Sequence, residues 1–173
     1  MIKGKLTGLR AVEAEDLEQL KHWRNLPAFR RNFREVRELG SESQQRWFAA
    51  LQSNTSRDFM FSIINLETGA LIGACGLLYI NWIIRSADFS FYIGKDGAYI
   101  DKQGYAADAA SLLINYGFDT LNLHKIWMEL YEFDKAKIDF FKEQFQFETD
   151  GTLRDNCFEE GRYWNSLIIS LIR

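Results

Sequence analysis

Proline is almost missing from this chain: Pro27 stands alone in 173 residues. No proline-, glycine- or serine-rich tract marks a linker and no repeat is present, so residues 1–173 are expected to form one domain. Cysteine is equally scarce. Cys75 and Cys157 cannot build a disulfide framework and lack metal-ligand spacing. Cys75 lies in the apolar run Leu71–Leu77 and reads as an inert, buried thiol. His22 and His124 are distant in sequence and belong to no ligand cluster, so no metal is expected. Positive charge is not in surplus either. A net charge of -3 argues against general nucleic-acid binding, which needs a basic face. No apolar run approaches the ~20 residues of a membrane span, and Met1–Arg10 is too polar for a signal peptide. The expected setting is the cytoplasm, without a membrane partner.

Aromatic residues, by contrast, are plentiful. With 14 Phe and 5 Trp, either the core or a cleft must be aromatic. Leu6–Val12 reads as a first strand and Glu13–Asn25 as a helix with Leu17, Leu20 and Trp23 on one face, ended by Pro27. Ser41 and Gln44 have capping-box spacing before a helix that turns Trp47, Phe48 and Leu51 inward. Phe59–Leu66 and Leu71–Ile80 flank the turn Glu67-Thr-Gly-Ala70, a hairpin signal. Ser86–Gly94 alternates, with Ala87, Phe89, Phe91 and Ile93 on one face and Asp88, Ser90 and Tyr92 on the other. A helix over Tyr105–Leu121, a strand over Lys125–Tyr131, a helix over Lys135–Gln144 and a closing strand over Tyr163–Ile172 follow. Hairpins followed by β-α-β-α-β predict an α/β domain: a mixed, mostly antiparallel sheet of about six or seven strands flanked by helices.

The chemistry-bearing segment is Lys102-Gln103-Gly104-Tyr105-Ala106-Ala107, a loop running straight into a helix. Small residues admit a ligand close to the backbone, and the amides of a helix start attract an anion such as pyrophosphate. Dinucleotide-binding and P-loop glycine patterns are absent. The ordered set resembles the GNAT acetyltransferases: Leu9-Arg10, Asp16, Trp23-Arg24-Asn25, Ile72-Gly73, Gly76-Leu77, Ala87-Asp88, this loop, Tyr116–Ile126, Phe147 and Gly161-Arg162-Tyr163. It is most similar to the branch holding Rim-type ribosomal-protein, spermidine and flagellin-sugar acetyltransferases.

That resemblance implies a single GNAT domain that moves an acetyl group from acetyl-coenzyme A to a primary amine: a protein N-terminus, a polyamine or an amino sugar. It implies a pantetheine arm entering where the strands Ser86–Gly94 and Lys125–Tyr131 splay. Backbone groups of Phe91, Tyr92 and Ile93 would bond the arm, and Gln103–Ala107 would hold the pyrophosphate. Asp134, Lys137 and Phe141 fall among the matching coenzyme contacts. Glu129 matches the carboxylate expected to accept the amine proton, with Asp88 on the adjoining strand as its partner. The first helices and a final hairpin would wall the acceptor, bringing Arg24 and the basic run Arg30–Arg34 near it.

The sequence also departs from the family pattern. Phe141 stands where a tyrosine would protonate the leaving thiolate, Asp134 stands for an asparagine, Asp101 for a glutamine or arginine, and Gln146 for a glycine. These departures keep a second reading open, a weakly active GNAT-fold module that binds coenzyme A or a protein partner. The expected assembly is a monomer or homodimer.

Overall fold

The computed structural model describes residues 1–53 and 57–173. The first strands are β1 (Ile2–Lys3), β2 (Thr7–Ala11), β3 (Phe59–Asn65) and β4 (Leu71–Asn81). They are followed by β5 (Ser86–Ile93), β6 (Lys125–Tyr131), β7 (Glu148–Glu159) and β8 (Arg162–Ile172). Among the described residues these form one eight-stranded sheet in the order β1-β2-β3-β4-β5-β6-β8-β7. Every pairing is antiparallel except β5 with β6. The helices are α1 (Leu17–Asn25), α2 (Pro27–Arg30), α3 (Ser41–Ser53), α4 (Tyr105–Asn115) and α5 (Lys135–Phe145).

The alternation of β5 sets the layering. Ala87, Phe89, Phe91 and Ile93 face a core closed by Ala106, Ala109, Ala110 and Leu113 of α4 and Ile138 and Phe141 of α5. Alanines at the contact let α4 lie close, and full burial of each Phe contributes about 1.5–3 kcal/mol. The opposite face is covered too. Tyr92 and Ala74 pack under Leu17, Leu20 and Trp23 of α1 and Phe29 of α2. Gly94 makes this second layer possible, since a Cβ there would lie 2.0 Å from the Trp23 ring.

Several boundaries differ from expectation. The first helix opens as a short 3-10 turn over Ala14–Asp16, where the Asp16 carboxylate accepts the Glu13 amide at 3.0 Å. At the start of α3 the Ser41 hydroxyl turns away from the helix to Lys21 and Glu18, and Gln44 is buried. The α4 helix ends at Asn115 and widens into a π-turn over Tyr116–Thr120, which keeps Phe118 in the core. The strands beyond six or seven are the short β1 and the long β7. β7 carries no apolar alternation, being largely solvent-exposed, and its bulges at Thr149/Gly151 and Leu153/Cys157 break any period of two. It joins β8 through Glu160 and Gly161, both at positive φ, as a tight hairpin demands.

Candidate active site and coenzyme groove

The β5–β6 pair determines the site. Its ladder runs only from Ser86↔Lys125 to Asp88↔Trp127, and beyond it the strands separate. The expected splay is therefore present. Two of the β5 backbone groups expected to bond the coenzyme arm are engaged by the chain itself. Ile93 N donates to Tyr99 O at 2.9 Å, and Phe91 O accepts from Lys137 Nζ at 2.7 Å. Tyr92 offers no ring to the groove, because its side chain packs among Trp23, Phe29 and Phe33.

Lys137 and Asp134 sit on the first turn of α5, both about 5% exposed. Asp134 caps the helix through the Lys137 amide and accepts the Tyr99 hydroxyl at 2.7 Å. Burial raises its pKa above the ordinary carboxylate value, although Lys137 and Tyr99 pull the other way. Burial pushes the Lys137 ammonium down to about 8 against the upward pull of Asp134 and Asp88. Asp134, expected among the coenzyme contacts, has its carboxylate engaged by Tyr99 and by its own helix. Phe141, expected among the same contacts, lies in the core. It is fully buried, edge-on to Phe89 and Phe91 and against Phe147, because the aromatic cluster between α5 and the sheet needs its volume.

The loop before α4 forms an anion-shaped cradle. Gly104 takes φ 97°, a left-handed conformation that turns successive amides inward. Asp101 supplies an anion from within the chain. Its carboxylate accepts Gln103 N at 2.6 Å, Tyr105 N at 3.1 Å and Ala106 N at 2.6 Å. The amides expected to hold a pyrophosphate are thus partly taken. Lys102 and Gln103 are exposed beside a cavity of 290 Å³ that Ile93, Lys95, Ile100, Asp101 and Tyr105 also line. Tyr105 accepts Asn65 Nδ2 at 3.2 Å, and Ala107 is half-buried on α4.

A second cavity, of 430 Å³, opens at the splay, lined by Arg24, Phe33, Arg34, Asp88, Glu129, Lys137 and their neighbours. Asp88 on β5 and Glu129 on β6 meet here as the sequence suggested. Arg34 joins them, its Nη2 lying 2.8 Å from Asp88 and its Nε 3.5 Å from Glu129. Glu129 also accepts Asn156 at 2.7 Å and the Ser166 hydroxyl at 2.8 Å. Asp88 pairs with the guanidinium, and burial lifts its pKa above normal although Arg34 and Lys137 lower it. Sequence reasoning missed Asn156, which lies in β7, and Tyr99, which carries no motif.

The loop bearing Arg34 is held at both ends. Asn25 exchanges bonds of 2.9 and 2.8 Å with Leu39, and Arg31 pairs with Glu160 at 3.1 Å on the β7–β8 turn. Asp16 anchors α1 to the sheet through the Arg10 fork at 2.7 and 2.8 Å and the Ser62 hydroxyl at 2.6 Å. Trp23 and Phe29 are core residues. Trp82 lies beyond β4 on the β4–β5 turn and does not line the cavity, and Trp164 packs under Arg162. No cluster of metal-ligating residues exists among the described residues, and none of their helices is long and apolar enough to cross a membrane.

Residues 7–143 match the family described as the acetyltransferase (GNAT) domain. Spermidine N(1)-acetyltransferase of Vibrio cholerae serotype O1 is 30% identical over 158 residues, covering 90% of this chain and 86% of that protein. An uncharacterized N-acetyltransferase, p20, of Bacillus licheniformis is 27% identical, covering 95% and 92%. The crystal structure of spermidine N-acetyltransferase from Vibrio cholerae in complex with CoA and spermine superposes with a TM-score of 0.86 at 24% identity, over 96% of this chain and 95% of that one. That likeness shows the fold. A dodecameric structure of the same enzyme gives a TM-score of 0.79 at 25% identity, over 96% and 94%.

Proposed function

The chain belongs to the GNAT acetyltransferase family as an acetyl-coenzyme A-dependent N-acetyltransferase, and from that premise we propose that its acceptor amine docks between Asp88 and Glu129. The observation that supports this most directly is the convergence of both carboxylates on Arg34 at the point where β5 and β6 part. An alkylammonium must lose a proton before it attacks a thioester. Glu129 already accepts Asn156 and Ser166 and pairs with Arg34. Asp88 is buried against Arg34, and burial raises its pKa above the ordinary carboxylate value. Asp88 takes the proton, and Glu129 holds the incoming ammonium in Arg34's place.

The relatives support one acceptor class. Proteins named spermidine N(1)-acetyltransferase support a polyamine, whose second ammonium would meet Glu35 at the cavity rim. One feature favours a different acceptor, an amine that also carries a carboxylate or phosphate. Arg24 lines the same cavity, and its Nε has no hydrogen-bond partner among the described residues. Its guanidinium stacks on Phe33 at 4.0 Å instead of pairing with an acid. Thiol release from acetyl-coenzyme A with spermidine, and separately with amino acids and amino-sugar phosphates, tests both. Turnover with spermidine alone supports the first acceptor, turnover with the anionic amines alone supports the second, and no turnover with any amine sinks the docking site. The dodecamer of the Vibrio enzyme supports an assembly larger than a monomer or homodimer, which light scattering measures.

A further inference from the structure

We propose that the Lys137 ammonium is the general acid that protonates the departing coenzyme thiolate, an assignment that rests on the acetyl-transfer reading of the cleft. The need comes from the chemistry. When the acceptor nitrogen bonds to the acetyl carbon, the carbon–sulfur bond breaks and sulfur keeps the electron pair. A thiol of pKa near ~8.5 leaves more readily when an acid donates to it. The position on α5 that matches the usual donor is Phe141, which has no proton to give and is fully buried.

Of the other hydroxyls near the groove, two buried tyrosines are committed, Tyr79 lies on the exposed outer wall of the cavity, and Ser90 sits on β5. Tyr99 donates to Asp134, and burial holds its proton tightly. Burial does the same to Tyr92, which lies in the aromatic layer below α1. Tyr105 lines the loop cavity rather than the splay, and Tyr131 is at the far end of β6 beside Cys157.

Lys137 meets the geometric demand. It lies one helical turn before Phe141 on the same face of α5. Its Nζ reaches Phe91 O at 2.7 Å, on the β5 edge that has lost its β6 partner, and it lines the cavity that holds Asp88 and Glu129. A carbonyl acceptor takes one of the ammonium's three protons and leaves the others to point elsewhere. The groups that face it from surrounding elements are Asp134 at the start of α5, Asp88 on β5, Arg24 on α1, Arg34 beyond α2 and the Tyr99 ring at 5.3 Å. Burial among them lowers Lys137 to about 8, close to the thiol it would serve, so the proton is neither withheld nor already lost at neutral pH. The acceptor ammonium loses two protons on becoming an amide: one leaves to Asp88 before attack, and the second leaves the nitrogen as the carbon–sulfur bond breaks and returns through cleft water to the neutral Lys137 amine, which has given its own proton to sulfur. Atoms and charge then balance as free thiol, amide and one released proton.

The test uses the intact protein, acetyl-coenzyme A and whichever amine gives turnover. In the wild type, kcat falls as pH rises through about 8, because the acid is then unprotonated. Lys137→Met should lower kcat by about 10²-fold, leave the KM for acetyl-coenzyme A within a few-fold, and abolish that alkaline limb. Lys137→Arg keeps the charge and a donor to Phe91 O but holds its proton too tightly, so its kcat should stay low. Restored turnover in the arginine variant would overturn the proposal in favour of simple charge. So would a parallel rise in KM with kcat unchanged, or an acetyl group found on Lys137 by mass spectrometry, which would make it a nucleophile. Should Lys137→Met fail to fold, a wild-type kcat profile that stays flat above pH 8 is sufficient to overturn it. Wild-type protein that binds acetyl-coenzyme A but acetylates no amine sinks the cleft reading itself, and the acid assignment with it.

Discussion

Asp101 Oδ1 accepts the Ala106 amide at 2.6 Å, placing a carboxylate on the helix start that a coenzyme pyrophosphate would claim. The same side chain holds the Gln103 and Tyr105 amides through its other oxygen. Two anions cannot share those donors, so a pyrophosphate bound at this loop, as proposed, displaces Asp101. Asp101→Gln should therefore tighten acetyl-coenzyme A by several-fold in calorimetry, while removing the cap lowers stability by about 1 kcal/mol. Unchanged or weaker binding would mean that the pyrophosphate sits elsewhere. Gly104→Glu, which adds bulk and charge at a left-handed position, should abolish binding in a folded protein.

Turnover should depend more on Asp88 than on Glu129. Asp88→Asn removes the buried carboxylate of raised pKa and should lower kcat by about 10²-fold at neutral pH. The deficit should shrink at high pH, where the acceptor amine is already neutral. Glu129→Gln keeps the bonds from Ser166 and Asn156 after an amide flip and should lose less. The reverse order in steady-state kinetics would return the base to Glu129.

Phe141→Tyr tests the aromatic cluster. The ring is 0% exposed, and its edges meet Phe89, Phe91, Phe140 and Phe147. A hydroxyl added there finds no polar partner among these neighbours, and burying it unsatisfied should cost about 1–3 kcal/mol in denaturant unfolding. A neutral or more active variant would show that the ring reaches the groove.

Acid stability should report on the Arg10–Asp16 pair. Burial works against the Asp16 charge, but the Arg10 fork, the Glu13 amide and the Ser62 hydroxyl outweigh it and hold its pKa below the ordinary value. A depressed carboxylate stabilises the fold above its unfolded pKa of ~3.9 and loses that contribution as pH falls through the folded value. Asp16→Asn should cost about 2–3 kcal/mol at pH 7. Thermal melts of the two proteins should converge as pH drops below about 4. A constant gap between the melts would place the stabilisation outside this titration.

What could be read from the sequence was whatever local pattern dictates. Alternation in β5 and the apolar stripe of α4 announce the core layer directly, since a strand repeats every two residues and a helix every 3.6. The loop ahead of α4 was legible for the same reason, whereas Asp88 and Glu129 were singled out by the resemblance to the GNAT acetyltransferases. β7 was not legible, because an exposed, twice-bulged edge strand has no buried face to impose a pattern. Only the tertiary structure decided what fills the groove. Asp101 could be seen as a departure in sequence, but nothing local says that its carboxylate turns onto the amides of Gln103, Tyr105 and Ala106. Lys137 looks like an ordinary helical lysine. It becomes a buried ammonium on Phe91 O because β5 and β6 part after Asp88, and a carbonyl stripped of its strand partner must find another donor.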